Sequence, residues 1–597
     1  MSDQKIIVLK FGGSVLTCPE SYDRVVHEIY RWVRKGFKVV AVVSAMKGET
    51  DRLFTAVRQT AAVDPVAPTV ASWIAIGEKA SAARLALLAD RAGLTANCLD
   101  AAAIELVAGG PTLDAVPQRV SVQAIQRALG TYDVLVLPGF EGRDELGQIN
   151  LLGRGGSDLT AITLASFLGA QCRLIKDVAG LYEWDPNGAK STPRRYRSLP
   201  WQTAHGLDDA IVQHKSVEVA KKHRQAFEVA SLNGVVSSRV GDLPVAWADT
   251  GSPAAARPLQ VTLLGAGTVG GGVIRHLGNL PQCFELNQVL VRDKQKHLSD
   301  VSAELLIDDS NDLNWNRLDV LVDCTGDLEL GLWAGKRALQ SGCEFITANK
   351  FLVGGEGAEL HALAREQQTE FRYAAAVGGA LPILERIQQM SDEGITQLRG
   401  ILNGTSNYVL DRVSEGSRLA EAVRDAQLAG FAEAVPDNDL NGLDAANKLV
   451  LLLQAATGIW IPLSNVTRQG IDDGIEEQVR AAASRDCKIR QIATADIRPD
   501  RVELQVRLEE APNNSLWGRC QAERNVLQID TGDSFSLVAG RGAGRWPTAE
   551  SVIADLLDLQ RKRVVESIPV PNSGVPDEHD LVGDVDGGVE LSTMPAI

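Results

Sequence analysis

Two glycine-rich turns, each directly after a short apolar run, mark where this chain can handle phosphate. Lys10-Phe11-Gly12-Gly13-Ser14 follows the run at 6–9, and Gly265-Ala266-Gly267-Thr268-Val269-Gly270 follows the run at 261–264. Amide N–H groups at a strand-to-helix turn point at anions, and absent Cβ atoms let phosphates come close. Lys10 adds a mobile positive charge suited to a phosphoryl group in transfer. Gly265-x-Gly267-x-x-Gly270 sits between a strand and a helix in a βαβ pattern, the setting in which those glycines serve a dinucleotide pyrophosphate. One cradle serves one nucleotide, so the 597 residues read as two nucleotide-using enzymes joined head to tail.

Other polar groups supply the remaining chemistry. In Gly153-Arg154-Gly155-Gly156-Ser157-Asp158, ahead of a helix at 159–169, Arg154 offers a planar fork to a carboxylate and Asp158 can accept from an ammonium. Together they suit an amino acid zwitterion, although Ser157 or Asp158 capping the helix accounts for the same residues. Lys176-Asp177, Tyr182 and Asp185-Pro186 form a strand end and turn that could hold a nucleotide, or an ordinary strand–loop. In the second half, Arg292-Asp293-Lys294 ends the second strand. There a base favours a ribose 2′-phosphate and an acid favours a 2′-hydroxyl, so Arg292 and Lys294 point to NADP(H), with NAD(H) the alternative. Lys350 follows a strand, at the edge where open α/β sheets bind ligands. Asp444 and Lys448 lie four apart on one helix face; by spacing alone they make a minor surface ion pair.

The elements that must position these groups alternate. Short apolar runs at 6–11, 39–43, 134–137 and 173–175 read as buried strands between helical stretches such as 22–35 and 79–92, which predicts a parallel sheet covered on both faces. Residues 243–258, rich in Pro, Ala, Gly and Ser, read as a linker. A second βαβ pattern runs over 259–393, longer elements fill 394–545, and 546–563 forms a helix packing back on the nucleotide domain. The acidic tail at 564–597 has no Lys or Arg and is expected to be disordered.

Composition narrows the function. Apolar residues make up 45%, charged residues 23%, and the net charge is −16, which argues against a nucleic-acid or anionic-membrane binder. The eight cysteines include no Cys-x-x-Cys pair, so a zinc site or redox dithiol is not expected. No signal peptide or membrane-length apolar run is seen, and a cytoplasmic enzyme of small molecules is expected.

In their order, the motifs of the first 235 residues resemble the amino acid kinase family, and within it the aspartate kinases. Val42-Val43-Ser44-Ala45-Met46 with Thr50 resembles the second-strand motif, Gly77-Glu78 the substrate-binding Gly-Glu, and 153–158 the most distinctive motif. The resemblance implies ATP-dependent phosphorylation of the aspartate side chain. Lys10, Gly12 and Gly13 would handle the phosphate, and Thr50, Glu78, Arg154 and Asp158 would hold aspartate. Asp177, Tyr182 and Asp185 would line the ATP site, with Mg²⁺ bridging the phosphates. The sequence departs from the family in having Lys176 in place of Thr, Asp51 in place of Asn, and Gln213-His214-Lys215 in place of His-Pro-Arg. The small regulatory domains that follow such kinases have no room in 243–258, so feedback control through them is expected to be absent.

Residues 260–560 resemble the homoserine dehydrogenases. The resemblance is carried by Thr347-Ala348-Asn349-Lys350, Ala375–Pro382, Leu402-Asn403-Gly404-Thr405-Ser406-Asn407-Tyr408, Gly430-Phe431-Ala432-Glu433, Gly442–Lys448 and Gly542-Ala543-Gly544. It implies reversible reduction of aspartate semialdehyde to homoserine, with Lys448 and Lys350 as the catalytic lysines. Glu433, Asp439, Asp444 and Thr405 would serve the substrate. Thr268, Val269, Thr325 and Gly544 would join the glycines at the cofactor. The carbonyls of Val377 and Gly379 would hold a monovalent cation, although the family's Glu reads Ala374 here and its Asp-Pro reads Val435-Pro436. A homodimer through this half is implied. The expected architecture is an α/β amino acid kinase fold fused to a Rossmann domain with an α+β catalytic subdomain. The alternative is an active dehydrogenase whose first 242 residues only bind or assemble; a kinase acting on another amino acid, such as glutamate, is a further one.

Overall fold

A computed structural model describes residues 5–61, 65–184, 193–207, 211–248, 257–432, 436–522 and 524–567. Asp185, Glu433 and most of the expected tail lie outside the described residues.

The first half is built on a nine-stranded sheet. Its centre is parallel: Ile6–Phe11 lies between Lys38–Val43 and Gln171–Lys176, and Val134–Pro138 follows Lys38–Val43. These strands are almost wholly buried, which is why they read as continuous apolar runs rather than alternating ones. Helices Ser21–Arg34 and Ala67–Arg91 cover one face and Gly156–Leu168 the other. The helix anticipated at 79–92 begins twelve residues earlier, at Ala67, with Pro68 in its first turn, where a missing N–H costs nothing. A four-stranded sheet made of Val107–Gly109, Val116–Arg119, Glu141–Arg143 and Ile149–Leu151 had no strong pattern in the sequence, because its strands are only three or four residues long. The presumed linker is partly structured: Ala246–Trp247 pairs with Tyr196–Pro200 as the outermost strand.

The second half opens with a six-stranded parallel sheet centred on Leu259–Leu264 and Val320–Asp323. A six-stranded, mainly antiparallel sheet follows, centred on Cys487–Ile497 and Gln397–Ile401. Helices Gly404–Ser414 and Leu443–Thr457 pack on it. The chain then returns: helix Arg545–Glu566 lies against Thr268–Gly278, where Gly272 leaves room for Ala549. This helix extends three residues into the region read as tail.

The two halves share a buried face. Arg34, at the end of helix Ser21–Arg34, pairs with Glu385, Asp555 and Asp558, and His27 Nδ1 lies 2.6 Å from Glu550. Asp555 and Asp558 tie the Arg34 guanidinium to the C-terminal helix, and Glu385 ties it to helix Ile383–Met390.

Candidate active sites

In the first half, the parallel register brings the ends of four strands together: Phe11 faces Val43 and Ile175, and Val43 faces Pro138. The loops that follow therefore gather at one sheet edge. They enclose a cleft of about 390 Å³ lined by Lys10, Gly13, Thr50, Glu78, Arg154, Asp158 and Lys176, among others. Gly12 leaves space over the lysine: a Cβ there would stand 2.9 Å from Lys10 Nζ.

Helix Gly156–Leu168 starts at this cleft. Its N-cap is Gly155, at φ +76°, so neither Ser157 nor Asp158 is spent on capping. Both instead face functional groups. Asp158 is 3% exposed and holds two lysines: Lys10 Nζ lies 2.7 Å from one carboxylate oxygen and Lys176 Nζ 2.7 Å from the other. Burial alone would raise its pKa; the two ammonium groups reverse that and hold it below the usual carboxylate range. Burial, with the like charge of Lys10, brings Lys176 down to about 8, against the pull of Asp158. Ser157 Oγ donates to Glu78 Oε1 at 3.0 Å and accepts from Ser44 Oγ at 2.9 Å. Burial pushes Glu78 up to about 7, opposed by Ser157, the amides of Gly139 and Phe140, and Lys10. With both oxygens of Asp158 engaged by lysines, Glu78 is, among the described lining residues, the carboxylate left to meet an ammonium in the cleft. Asp177 is exposed at the end of its strand, and Tyr182 is half-buried on the turn beyond, paired with Arg195; neither lines the described cleft.

In the second half, the three fingerprint glycines have separable duties. Gly265 takes φ +85°, which an L side chain resists; a Cβ at Gly270 would overlap the Gly265 carbonyl; Gly267 faces open space. That open face at the N-terminus of Thr268–Gly278 fits a pyrophosphate. Sequence reasoning missed Asp323, fully buried at the sheet's C-terminal edge. It accepts from Thr325 Oγ1 at 2.7 Å and Thr347 Oγ1 at 2.8 Å, tying the cofactor-side turn to the loop that carries Lys350. Its signal was an acidic residue closing an otherwise apolar strand, Val320–Asp323. Arg292 is exposed, and Lys294 pairs with Asp308 at 2.7 Å.

Asp444 and Lys448 are not the surface pair that spacing alone suggested: they are 1% and 7% exposed. Asp444 binds Lys350 through one oxygen and Lys448, at 3.1 Å, through the other. Burial would raise Asp444; Lys448 and Lys350 overturn that and hold it far below the ordinary range. Lys448 Nζ donates to the Leu402 carbonyl at 2.8 Å. Asn403, the N-cap of Gly404–Ser414, donates to both Asp439 and Asp444 at 2.7 Å. Burial and the neighbouring Asp444 raise Asp439. Thr405 Oγ1 donates to the Phe431 carbonyl at 2.6 Å. Val377 lies in the short helix Ala374–Gly378, and Gly379, at φ +57°, packs against the Gly542–Ala543 backbone beside Gly544.

Comparisons with known proteins agree with this division. Residues 5–241 match the amino acid kinase family, 265–374 the homoserine dehydrogenase NAD-binding domain, and 382–557 the homoserine dehydrogenase catalytic family. Homoserine dehydrogenase from Pseudomonas aeruginosa is 32% identical over 318 residues, spanning 51% of this chain and 73% of that protein. The Helicobacter pylori enzyme is 30% identical, spanning 51% and 74%. A solved homoserine dehydrogenase from Thiobacillus denitrificans, 30% identical, covers 53% of this chain and 76% of its own, with a TM-score of 0.49.

Proposed function

Because the chain belongs to the homoserine dehydrogenase family and carries an amino acid kinase domain ahead of it, we propose that it performs two reactions of amino acid biosynthesis. The first half phosphorylates L-aspartate with ATP to 4-phospho-L-aspartate. The second interconverts L-aspartate 4-semialdehyde and L-homoserine with NADP(H). The observation that carries this reading is the convergence of Lys10, Thr50, Glu78 and Arg154 on one cleft, together with Lys350 and Lys448 on one buried carboxylate.

In the kinase cleft, Arg154 takes the α-carboxylate of aspartate and Glu78 its ammonium, leaving the side-chain carboxylate directed at the phosphate. Lys10 meets the charge on the transferring group. Asp177, Tyr182 and Asp185 are assigned to the nucleotide side, and Mg²⁺ would be held chiefly by the phosphates, since it keeps much of its water shell.

In the dehydrogenase half, the nicotinamide supplies or accepts the hydride when bound. Lys448 gives a proton to the carbonyl oxygen during reduction and takes it back during homoserine oxidation. Asp444 fixes both lysines, and Asn403 fixes Asp444. Lys350 holds the substrate beside the cofactor. Asp439, Thr405 and Glu433 are assigned to the substrate. Arg292 favours the NADP(H) 2′-phosphate. Val377 and Gly379 offer carbonyls to a monovalent cation. Exposed Phe535 and Leu537 on the edge strand Phe535–Arg541 support a homodimer through this half. Among the described residues no helix is long and apolar enough to cross a membrane.

The test is paired. With ATP, Mg²⁺, aspartate and hydroxylamine the chain should yield aspartyl hydroxamate, and with NADP⁺ and homoserine it should yield NADPH. Homoserine oxidation without any hydroxamate would leave the first half a binding module; hydroxamate from glutamate alone would move the acceptor.

A further inference from the structure

Beyond Lys10 and Arg154, two further cations line the kinase cleft, Lys47 and Lys176, and only Lys176 is buried. Lys176 closes the strand Gln171–Lys176, next to the strand that carries Lys10, and the two share Asp158 at 2.7 Å each. All three line the cleft and are at least nine-tenths buried. Two ammonium groups on one carboxylate leave this trio with one positive charge in excess, while Glu78, the other carboxylate among the described lining residues, is assigned to the substrate ammonium. Gathering two like charges and burying them is unfavourable unless a third, anionic group completes the set. We propose that Lys176 is a second catalytic lysine of phosphoryl transfer, binding the γ-phosphoryl group together with Lys10, with Asp158 holding the pair at a fixed spacing. This rests on the kinase reading above and adds the residue by which this chain makes up for a hydroxyl-bearing side chain at that position.

The step balances without further reagents. A side-chain oxygen of aspartate forms a bond to the γ-phosphorus while the bond from that phosphorus to the β,γ-bridging oxygen breaks, and its electron pair leaves with ADP. The attacking carboxylate is already ionised, so no proton moves. Negative charge spreads over the three equatorial oxygens, where Lys10 and Lys176 stand. Asp158 then serves the lysines, not the substrate ammonium.

Lys176→Met keeps the length of the side chain and removes the charge; Lys176→Thr installs the hydroxyl. In the full chain, homoserine oxidation reports whether either variant is folded. Lys176→Met should lower kcat for aspartyl hydroxamate by about 10²–10³-fold with the aspartate KM within a few-fold of wild type, the loss typical of one charge-stabilising donor. A kcat within threefold of wild type would overturn the proposal. Titration calorimetry with ATP and ADP gives a readout that needs no acceptor. Lys176→Met should lose about tenfold in ATP affinity and little for ADP, and equal losses for both nucleotides, or none, would contradict contact with the γ-phosphate. If the wild type makes no aspartyl hydroxamate, the choice of aspartate fails, and the ATP-against-ADP comparison still decides the role of Lys176.

Discussion

The two halves solve one electrostatic problem with different scaffolds. Each places two lysines on the two oxygens of a single buried aspartate: Lys10 and Lys176 on Asp158, Lys350 and Lys448 on Asp444. In the first half the lysines come from adjacent parallel strands and the aspartate from a helix N-terminus. In the second, aspartate and one lysine share a helix four residues apart, and the other lysine begins a helix after a Rossmann strand. What differs is what surrounds them. The first set opens into a cleft of about 390 Å³, with room for a nucleotide's phosphates; in the second, Asn403 and the Leu402 carbonyl hold the aspartate and Lys448. On the proposed function, the same trio serves charge stabilisation where phosphate must enter, and directed proton transfer where one oxygen must be met.

That contrast can be broken at either end. The largest effect is expected from Lys448→Ala, which should cut homoserine oxidation by about 10³-fold through loss of the proton carrier. Hydroxamate formation and NADP(H) binding, read by fluorescence titration, should stay as in wild type. A variant retaining most of its kcat would show that the second trio is structural. Next, Arg154→Ala should raise the aspartate KM by about 10²-fold, the worth of a charge-assisted pair to a carboxylate, with little change in dehydrogenase rate. An unchanged KM would remove Arg154 from the substrate.

A smaller effect separates the halves by pH. Glu78 sits at about 7 because it is buried. On the proposed function its charged form binds the aspartate ammonium, and that form is lost as pH falls through this value. The aspartate KM should therefore be flat above pH 7 and rise about tenfold per unit below it. Glu78→Gln should have a raised KM without that slope, and a wild-type KM independent of pH from 5.5 to 8 would contradict the assignment. Arg292→Ala should have the smallest effect, lowering NADP(H) affinity about tenfold with NAD(H) affinity nearly unchanged. Equal losses for both cofactors would assign Arg292 no 2′-phosphate contact.

Much of this was legible in the sequence, because glycine motifs and apolar runs are local. Both phosphate turns, the parallel sheets they follow and the helix carrying Asp444 and Lys448 could be placed from spacing. The pairing of Asp158 with Lys176 could not: eighteen residues and a helix separate them, and only the strand register next to Lys10 brings them together. Lys176 read alone was a departure; beside Lys10 it completes a set. Burial of the Asp444–Lys448 pair was likewise invisible, since i,i+4 spacing describes a helix face without saying what covers it. Asp323 and Asn403 act through their neighbours, and the interface of Arg34 with Asp555 and Asp558 joins elements more than 500 residues apart.

The two products are not successive: an acyl phosphate must be reduced with loss of phosphate before it becomes an aldehyde, so the halves have no product to pass directly. Their independence gives the most direct test. Lys10→Met and Lys448→Ala, each made in the full chain, should be assayed for both hydroxamate and NADPH. Crossed losses are expected: the first variant silent only as a kinase, the second only as a dehydrogenase. A wild-type chain that makes NADPH but no aspartyl hydroxamate, or either substitution silencing both reactions, would contradict two separate active sites on one polypeptide.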